Sequence, residues 1–269
     1  GHAVLVHVAH EIFVLVADRA AAHAPILAHA QAPHVWRQSA PMIATHRLIV
    51  RLRRHPSSAL LAAQLLGVLL YPLLQDSASG QIALAVFGLV VLGLALRMVR
   101  RSPAATQSAL ALAACVVVFS VWNALAPDRR LLLAVSLLEA AFYFYAAGAL
   151  IRYMLQDDVA TTDELVAAGA TFTVLAWAWA HLYMACQVLA PGSFIAAVRP
   201  DAARSWFELL FLSFTSLSSV GLGDVVPVKP MARALVMLEE FAGVMYIALV
   251  VSRLVGLLTL RRIEQHPPQ

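Results

Sequence analysis

Apolar residues in this chain of 269 residues are gathered into six long runs, separated by short polar or charged segments. The runs cover residues 57–74, 81–96, 109–126, 131–155, 165–189 and 231–260. A helix that crosses the hydrocarbon core of a bilayer needs about 20 predominantly apolar residues. The pattern therefore predicts an all-α membrane protein with six transmembrane helices.

A seventh apolar run, residues 206–214, is rich in aromatic residues but too short to cross a bilayer. It leads into the loop 216–224, in which Gly221 and Gly223 alternate with larger residues. Glycine reaches positive φ because it has no Cβ atom to clash, so this alternation suits a loop whose successive carbonyl groups point at one axis. We therefore predict a short re-entrant helix and a carbonyl-lined loop between the fifth and sixth spans.

Composition and charge support a membrane location. Hydrophobic residues make up 61% of the chain and charged residues 13%, and the mean hydropathy is +0.79. So few charges do not cover the surface of a soluble protein of this size. The net charge of +4 does not indicate a nucleic-acid partner, because the arginines lie beside the apolar runs, where positive charge marks the cytoplasmic side of a membrane. Membrane lipids are the expected surroundings.

The distribution of arginine predicts the topology. The arginines next to the predicted spans are Arg47, Arg51, Arg53, Arg54, Arg97, Arg100, Arg101, Arg261 and Arg262. The loop 75–80 carries no positive charge, so it is expected outside. Arg129 and Arg130 lie in a loop that this topology places outside, but the arginines on the predicted cytoplasmic side outnumber them. Both termini are therefore expected in the cytoplasm.

The chain divides into four predicted parts. Residues 1–56 are expected to form a cytoplasmic or interfacial segment, 57–156 a four-helix transmembrane domain, 157–262 a pore domain, and 263–269 a short tail. A voltage sensor needs arginines repeated within the membrane, because a charge moved through the field gains about 2.3 kcal/mol per 100 mV. The fourth span has no Lys or Arg from 131 to 151, so the four-helix domain is not expected to sense voltage.

The segment Ser219 to Asp224, Ser-Val-Gly-Leu-Gly-Asp, resembles the selectivity filter of potassium channels, which reads Thr-Val-Gly-Tyr-Gly-Asp. A proline follows the filter in both, here Pro227. The family also has a hinge glycine in its inner helix, and Gly243 stands at the matching distance after Asp224. The resemblance covers residues 164–260, about a third of the chain.

This resemblance implies a homotetrameric, potassium-selective and voltage-independent channel of a cell membrane, in bacteria the inner membrane. It implies K+ bound in the filter, with no organic cofactor, no other metal and no catalytic residue. The implied ion-binding residues are Ser219, Val220, Gly221, Leu222 and Gly223. The implied supports of the filter are Asp224, Thr215, Glu239 and Glu240, and the implied gating hinge is Gly243.

Departures from the family pattern bear on selectivity. Leu222 replaces a tyrosine whose hydroxyl ties the filter to the pore helix, so Leu222 is expected to pack against Phe211 and Phe214 instead. Ser219 replaces threonine. Thr215 stands where some members have a glutamate that pairs with the filter aspartate, which leaves Trp206 or backbone groups to hold Asp224. A weakly selective monovalent cation channel of the same fold is the alternative.

Glu139 and His181 are polar residues inside predicted spans, and each has an interpretation of its own. Glu139 has two interpretations: it faces a proton path or an intersubunit cavity, or it is a protonated group hydrogen-bonded to a neighbouring helix. His181 is expected to be a satisfied polar group near the outer interface. Rival functions of other classes are an intramembrane enzyme, which lacks a Gly-x-Ser-x-Gly elbow here, and a structural protein of the membrane, which does not need alternating glycines.

Overall fold

The computed structural model describes residues 56–99, 103–156 and 162–265. Its helices are α1 (Pro56–Leu74), α2 (Ala78–Val99), α3 (Pro103–Leu125), α4 (Arg129–Gln156), α5 (Thr162–Leu189), α6 (Trp206–Leu217) and α7 (Pro230–Gln265). Two short strands, β1 (Phe194–Ala196) and β2 (Val225–Pro227), lie on either side of α6. The predicted segment 1–56, apart from Pro56, and the last residues of the tail lie outside the described residues.

Five helices within the described ranges are long and apolar enough to cross a membrane: α1, α3, α4, α5 and α7. The run predicted as the second span forms α2, a helix of 22 residues. The apolar stretch found in α2 is Val86–Arg97, which is shorter than a span. The chain is a helical membrane protein, and five of its six predicted spans meet the criterion of length and apolarity.

The helix α5 lies at the centre of the fold. It packs against α1, α4, α6 and α7, and 61% of its apolar window is buried, compared with at most 39% in the other four candidate spans. Its buried positions include the small residues Ala167, Ala170, Ala176, Ala178 and Ala180. Small side chains let helices approach closely in a membrane, where packing rather than water drives association. This composition suits α5 to the close packing of α1, α4, α6 and α7 around it.

Interhelical hydrogen bonds join α5 to the helices around it. The Thr173 hydroxyl donates to Oε1 of Gln64 on α1 at 2.6 Å. The Tyr246 hydroxyl on α7 donates to the Ala168 carbonyl at 2.6 Å. Polar groups within lipid are satisfied by neighbouring helices, because the hydrocarbon offers no partner.

The two strands form an antiparallel sheet, which the sequence analysis did not predict. Ile195 lies opposite Val226 in its register, and the Val228 amide extends it by donating to the Ser193 carbonyl at 2.9 Å. Pro227 takes the last place of β2, where a missing N–H is tolerated. The sheet fastens the chain after the loop 218–224 to the segment that follows α5.

Arg129, which runs against the predicted charge distribution, has a structural role. It begins α4, and its Nη2 and Nε atoms lie 2.6 and 3.1 Å from the carbonyl oxygen of Val188. Val188 is in the last turn of α5, where carbonyl groups lack helical partners and carry the negative end of the helix dipole. The arginine therefore joins two helix ends.

Candidate functional site

The helix α6 starts at a capping box that its sequence encodes. The Ser205 hydroxyl accepts a hydrogen bond from the Glu208 amide at 3.2 Å, and the Glu208 carboxylate accepts one from the Ser205 amide at 2.6 Å. This reciprocal pair satisfies two backbone donors at the helix start. It fixes the first turn of a helix of only 12 residues.

The residue before this cap anchors α6 to α5. The Arg204 amide donates to Oε1 of Gln187 at 2.8 Å, and Nε2 of Gln187 donates to the Arg204 carbonyl at 3.0 Å. The buried Arg204 guanidinium also bonds to the Ala202 and Val198 carbonyls. Sequence analysis missed both residues, because their pairing joins positions far apart in the chain.

The loop that follows α6 is held by the carbonyl groups of the helix's last turn. The Thr215 carbonyl accepts hydrogen bonds from the Val220 and Gly221 amides, both at 3.0 Å, and the Ser216 carbonyl accepts one from Ser219 at 2.9 Å. These bonds form a Schellman motif, in which Ser218 is the C-cap. Thr215 therefore supports the loop through its backbone, while its hydroxyl donates to the Leu212 carbonyl of the same helix.

Positive φ angles occur at Ser219 (+58°) and Gly221 (+64°). The expectation that both Gly221 and Gly223 need this conformation was wrong for Gly223, which is not in the left-handed region. The positive φ of Ser219 has a physical reason in the Schellman motif, which requires a left-handed residue directly after the C-cap. A Cβ atom on Gly223 would lie 3.5 Å from the Phe211 ring, which is ordinary contact.

The loop carbonyls are free to bind a ligand. The carbonyl oxygens of residues 219–223 accept no hydrogen bond from any residue that the structure describes, and every residue of this loop is exposed in the single chain. Leu222 is 70% exposed, so it does not pack against Phe211 and Phe214 as expected. Phe214 instead contacts the Phe172 ring of α5, with centroids 6.0 Å apart.

Asp224 is exposed, and its expected contact with Trp206 was wrong. Trp206 begins α6 whereas Asp224 follows its other end, and a helix of 12 residues is about 18 Å long. The Trp206 ring packs on the Trp177 ring, with centroids 5.1 Å apart, and the Trp206 Nε1 atom has no hydrogen-bond partner within the described ranges.

Glu239 joins three helices behind α6. It is fully buried on α7 and is hydrogen-bonded to the hydroxyls of Tyr183 on α5 and Ser213 on α6. The Ser213 hydroxyl also lies 2.9 Å from the Ala176 carbonyl. Its neighbour Glu240 is exposed and forms no hydrogen bond or ion pair with another described residue.

Gly243 is a point of contact between α6 and α7. A Cβ atom at this position would lie 2.0 Å from the backbone carbonyl oxygen of Leu217, the last residue of α6. The helix α7 continues unbroken through Gly243, from Pro230 to Gln265. Gly243 therefore permits close packing directly below the loop, whereas its use as a hinge stays a prediction.

His181 and Glu139 form a pair that the sequence analysis did not foresee. Nδ1 of His181 on α5 lies 2.8 Å from Oε2 of Glu139 on α4. Glu139 contacts a neighbouring helix, as one interpretation expected, and also lines a cavity within its own chain. A proton path or an intersubunit cavity at Glu139 stays a prediction. No group of three or more His, Cys, Asp or Glu side chains suited to a metal ion occurs among the residues that the structure describes.

Comparison with known families agrees with this geometry. Residues 171–259 match the family model Ion_trans_2, which is described as an ion channel. The matched segment contains most of α5, all of α6, the loop and most of α7. Searches of curated proteins and of solved structures found no match. The match covers about a third of the chain and indicates ion conduction by this part.

Proposed function

We propose that four copies of this chain surround a pore that conducts K+ through the loop 219–223. The observation that carries this proposal is the loop itself. Its amides at Ser219, Val220 and Gly221 bond back to α6, while its carbonyl oxygens have no partner among the described residues. The loop is held in place through its N–H donors, and its carbonyl acceptors stay unused. Such a loop suits a ligand that binds to oxygen acceptors, namely a cation.

The number of copies follows from the chemistry of dehydration. One chain offers one carbonyl oxygen at each level of the loop, and a dehydrated cation needs several to replace its water. Rings of oxygens arise when chains are arranged around a rotation axis. Four copies match the layout of the channels that this sequence resembles.

The exposed face of α7 supports assembly. Large apolar residues that are exposed in the single chain follow one another along it: Met237, Leu238, Phe241, Val244, Met245, Ile247, Val251 and Val255. Within the described part of its own chain, this helix packs against α5, α6 and β2. A neighbouring subunit can cover the part that faces the axis, and lipid the rest.

The filter we propose binds K+ at successive rings of backbone oxygens, with the Ser219 hydroxyl at its inner end. K+ is preferred to Na+ when the number and spacing of the carbonyls match the larger ion. Leu222 offers no hydroxyl to hold this spacing. Weak selectivity among monovalent cations is therefore the nearest alternative.

Opening is proposed to be nearly independent of voltage. The helix α4 has no Lys or Arg from 131 to 151, and its Glu139 is paired with His181. Without charges that move through the field, voltage has little energy to transfer to the helices. Currents recorded from −100 to +100 mV should show no steep change in open probability.

Flux from liposomes tests the proposed function. Purified protein reconstituted with K+ inside should carry a K+ efflux that collapses when Gly221 is replaced by alanine, since this substitution disturbs the loop without touching the helices. The matched control is Gly88→Ala, where a Cβ atom meets nothing within 4 Å. No flux above that of empty liposomes for the parent and the control would contradict the proposal.

A further inference from the structure

A cavity of about 370 Å³ lies among the helices, away from the loop 219–223. Helices α1 to α5 and the first residue of α6 line it, and no filter residue takes part. Most of its wall is apolar, with residues such as Phe87 and Leu92 of α2 and Val116 of α3. This size and lining are typical of a site for a small organic molecule.

Glu139 and His181 form a close pair in the wall of the cavity. Their side chains are 24% and 12% exposed, and the Oε2 and Nδ1 atoms lie 2.8 Å apart. Two further titratable residues line the cavity, the phenols Tyr71 and Tyr143. The lining residues that α2 and α3 contribute are all uncharged. An ionised carboxylate in apolar surroundings needs one positive charge beside it.

Aromatic faces surround this position. The His181 ring stacks on Tyr143, with centroids 5.6 Å apart and planes at 16°. The centroid of the Trp206 ring lies 5.5 Å from that of His181. Trp206 in turn contacts Trp177 at 5.1 Å and Tyr71 at 5.8 Å. The negative faces of such rings attract organic cations within about 6 Å. The cavity therefore combines a carboxylate, aromatic faces and an apolar wall.

We propose that this cavity binds an amphiphilic primary amine, with its ammonium group at Glu139 and its apolar body in the cavity. The ammonium donates a charge-assisted hydrogen bond to the carboxylate. This proposal stands independently of ion conduction.

The test uses the full chain in detergent with 4-phenylbutylamine as the probe and the uncharged 4-phenylbutan-1-ol as its isostere. Calorimetric titration at pH 7 should give at least tenfold tighter binding of the amine. In Glu139→Gln this preference should fall to about one, because the alcohol keeps its apolar contacts. The matched control Asp76→Asn removes an exposed carboxylate that does not line the cavity, and it should keep the preference.

A second variant separates this proposal from simple apolar binding. His181→Gln keeps the Glu139 carboxylate in the cavity, so it should keep the preference for the amine over the alcohol. Equal binding of amine and alcohol by the folded parent, or release of lipid by both probes alike, would overturn the proposal and assign the cavity to lipid chains.

Discussion

The backbone carbonyl oxygen of Leu217 lies 2.0 Å from the point that a Cβ atom of residue 243 would occupy. Leu217 ends α6 directly before the proposed filter, and Gly243 lies in the middle of α7. Because a backbone atom cannot rotate away as a side chain can, α6 and α7 keep this contact only with glycine at 243. The helix that lines the proposed pore and the base of the filter are therefore coupled at one point.

Gly243→Ala tests this contact. We expect a loss of about 1–3 kcal/mol in the free energy of unfolding for each subunit, which is typical of overpacking, and a strong loss of K+ flux. Thermal unfolding and liposome flux measure the two effects.

The matched control is Gly256→Ala on the same helix, where nothing lies within 4 Å of the added atom. It should leave both quantities near those of the parent. A Gly243→Ala protein with normal stability and altered opening alone would favour the hinge interpretation over the packing contact.

Glu239 is expected to be protonated, from a count of hydrogens. Ser213 has one hydroxyl hydrogen, and both the Ala176 carbonyl and a Glu239 oxygen lie within bonding distance of it. All the bonds form at once if the carboxyl group donates to Ser213, Ser213 donates to Ala176 and Tyr183 donates to the other carboxyl oxygen. Glu239→Gln should therefore keep the network and the stability of the parent.

Glu239→Ala should lose about 1–3 kcal/mol, because it leaves the Tyr183 hydroxyl without its partner. Glu240→Ala, at an exposed position of the same helix, is the control and should change stability by less than about 0.5 kcal/mol. Chemical unfolding in detergent gives these differences. If Glu239→Gln proved as damaging as Glu239→Ala, an ionised carboxylate would be indicated instead.

The two filter glycines should differ in their tolerance of alanine. Gly221 has a φ of +64° and is strained by any Cβ atom, at a cost of about 1–2 kcal/mol in each subunit. Gly223 has neither a positive φ nor a close contact with its own chain. K+ flux should therefore fall more in Gly221→Ala than in Gly223→Ala, and the reverse order would contradict the assigned backbone.

Leu222→Tyr should widen the preference for K+ over Na+. The substitution leaves the backbone oxygens in place and adds a hydroxyl with which neighbouring groups can hold the ring of carbonyls to its spacing. Reversal potentials under K+ and Na+ gradients measure the change. Leu222→Phe provides the control, since it adds the ring without the hydroxyl and should not widen the preference to the same degree.

Local patterns in the sequence were enough to predict the helices, and contacts between distant residues were not. The apolar runs determine where α1 to α7 form, because the length of a run is a property of neighbouring residues. The Glu139–His181 pair and the Gly243–Leu217 contact each join two helices, so they depend on how helices rotate against one another. The spacing of residues along the chain does not determine that rotation.

The backbone conformation of the loop 218–224 likewise depends on more than local sequence patterns. Its glycines were visible in the sequence, but the left-handed conformation of Ser219 follows from the way in which α6 ends. The C-cap hydrogen bonds to Thr215 and Ser216 determine it. Predicting this angle required the last residue of α6, and sequence patterns place helix ends only to within a few residues.

Reversal potentials of the reconstituted parent, measured with K+ on one side of the membrane and Na+ on the other, test the central claim most directly. The proposed filter predicts a potential close to the K+ equilibrium value, and loss of the current in Gly221→Ala with the oligomer intact. A potential near zero, showing equal passage of both ions, would contradict potassium selectivity. A current unchanged by Gly221→Ala would remove the loop 219–223 from conduction altogether.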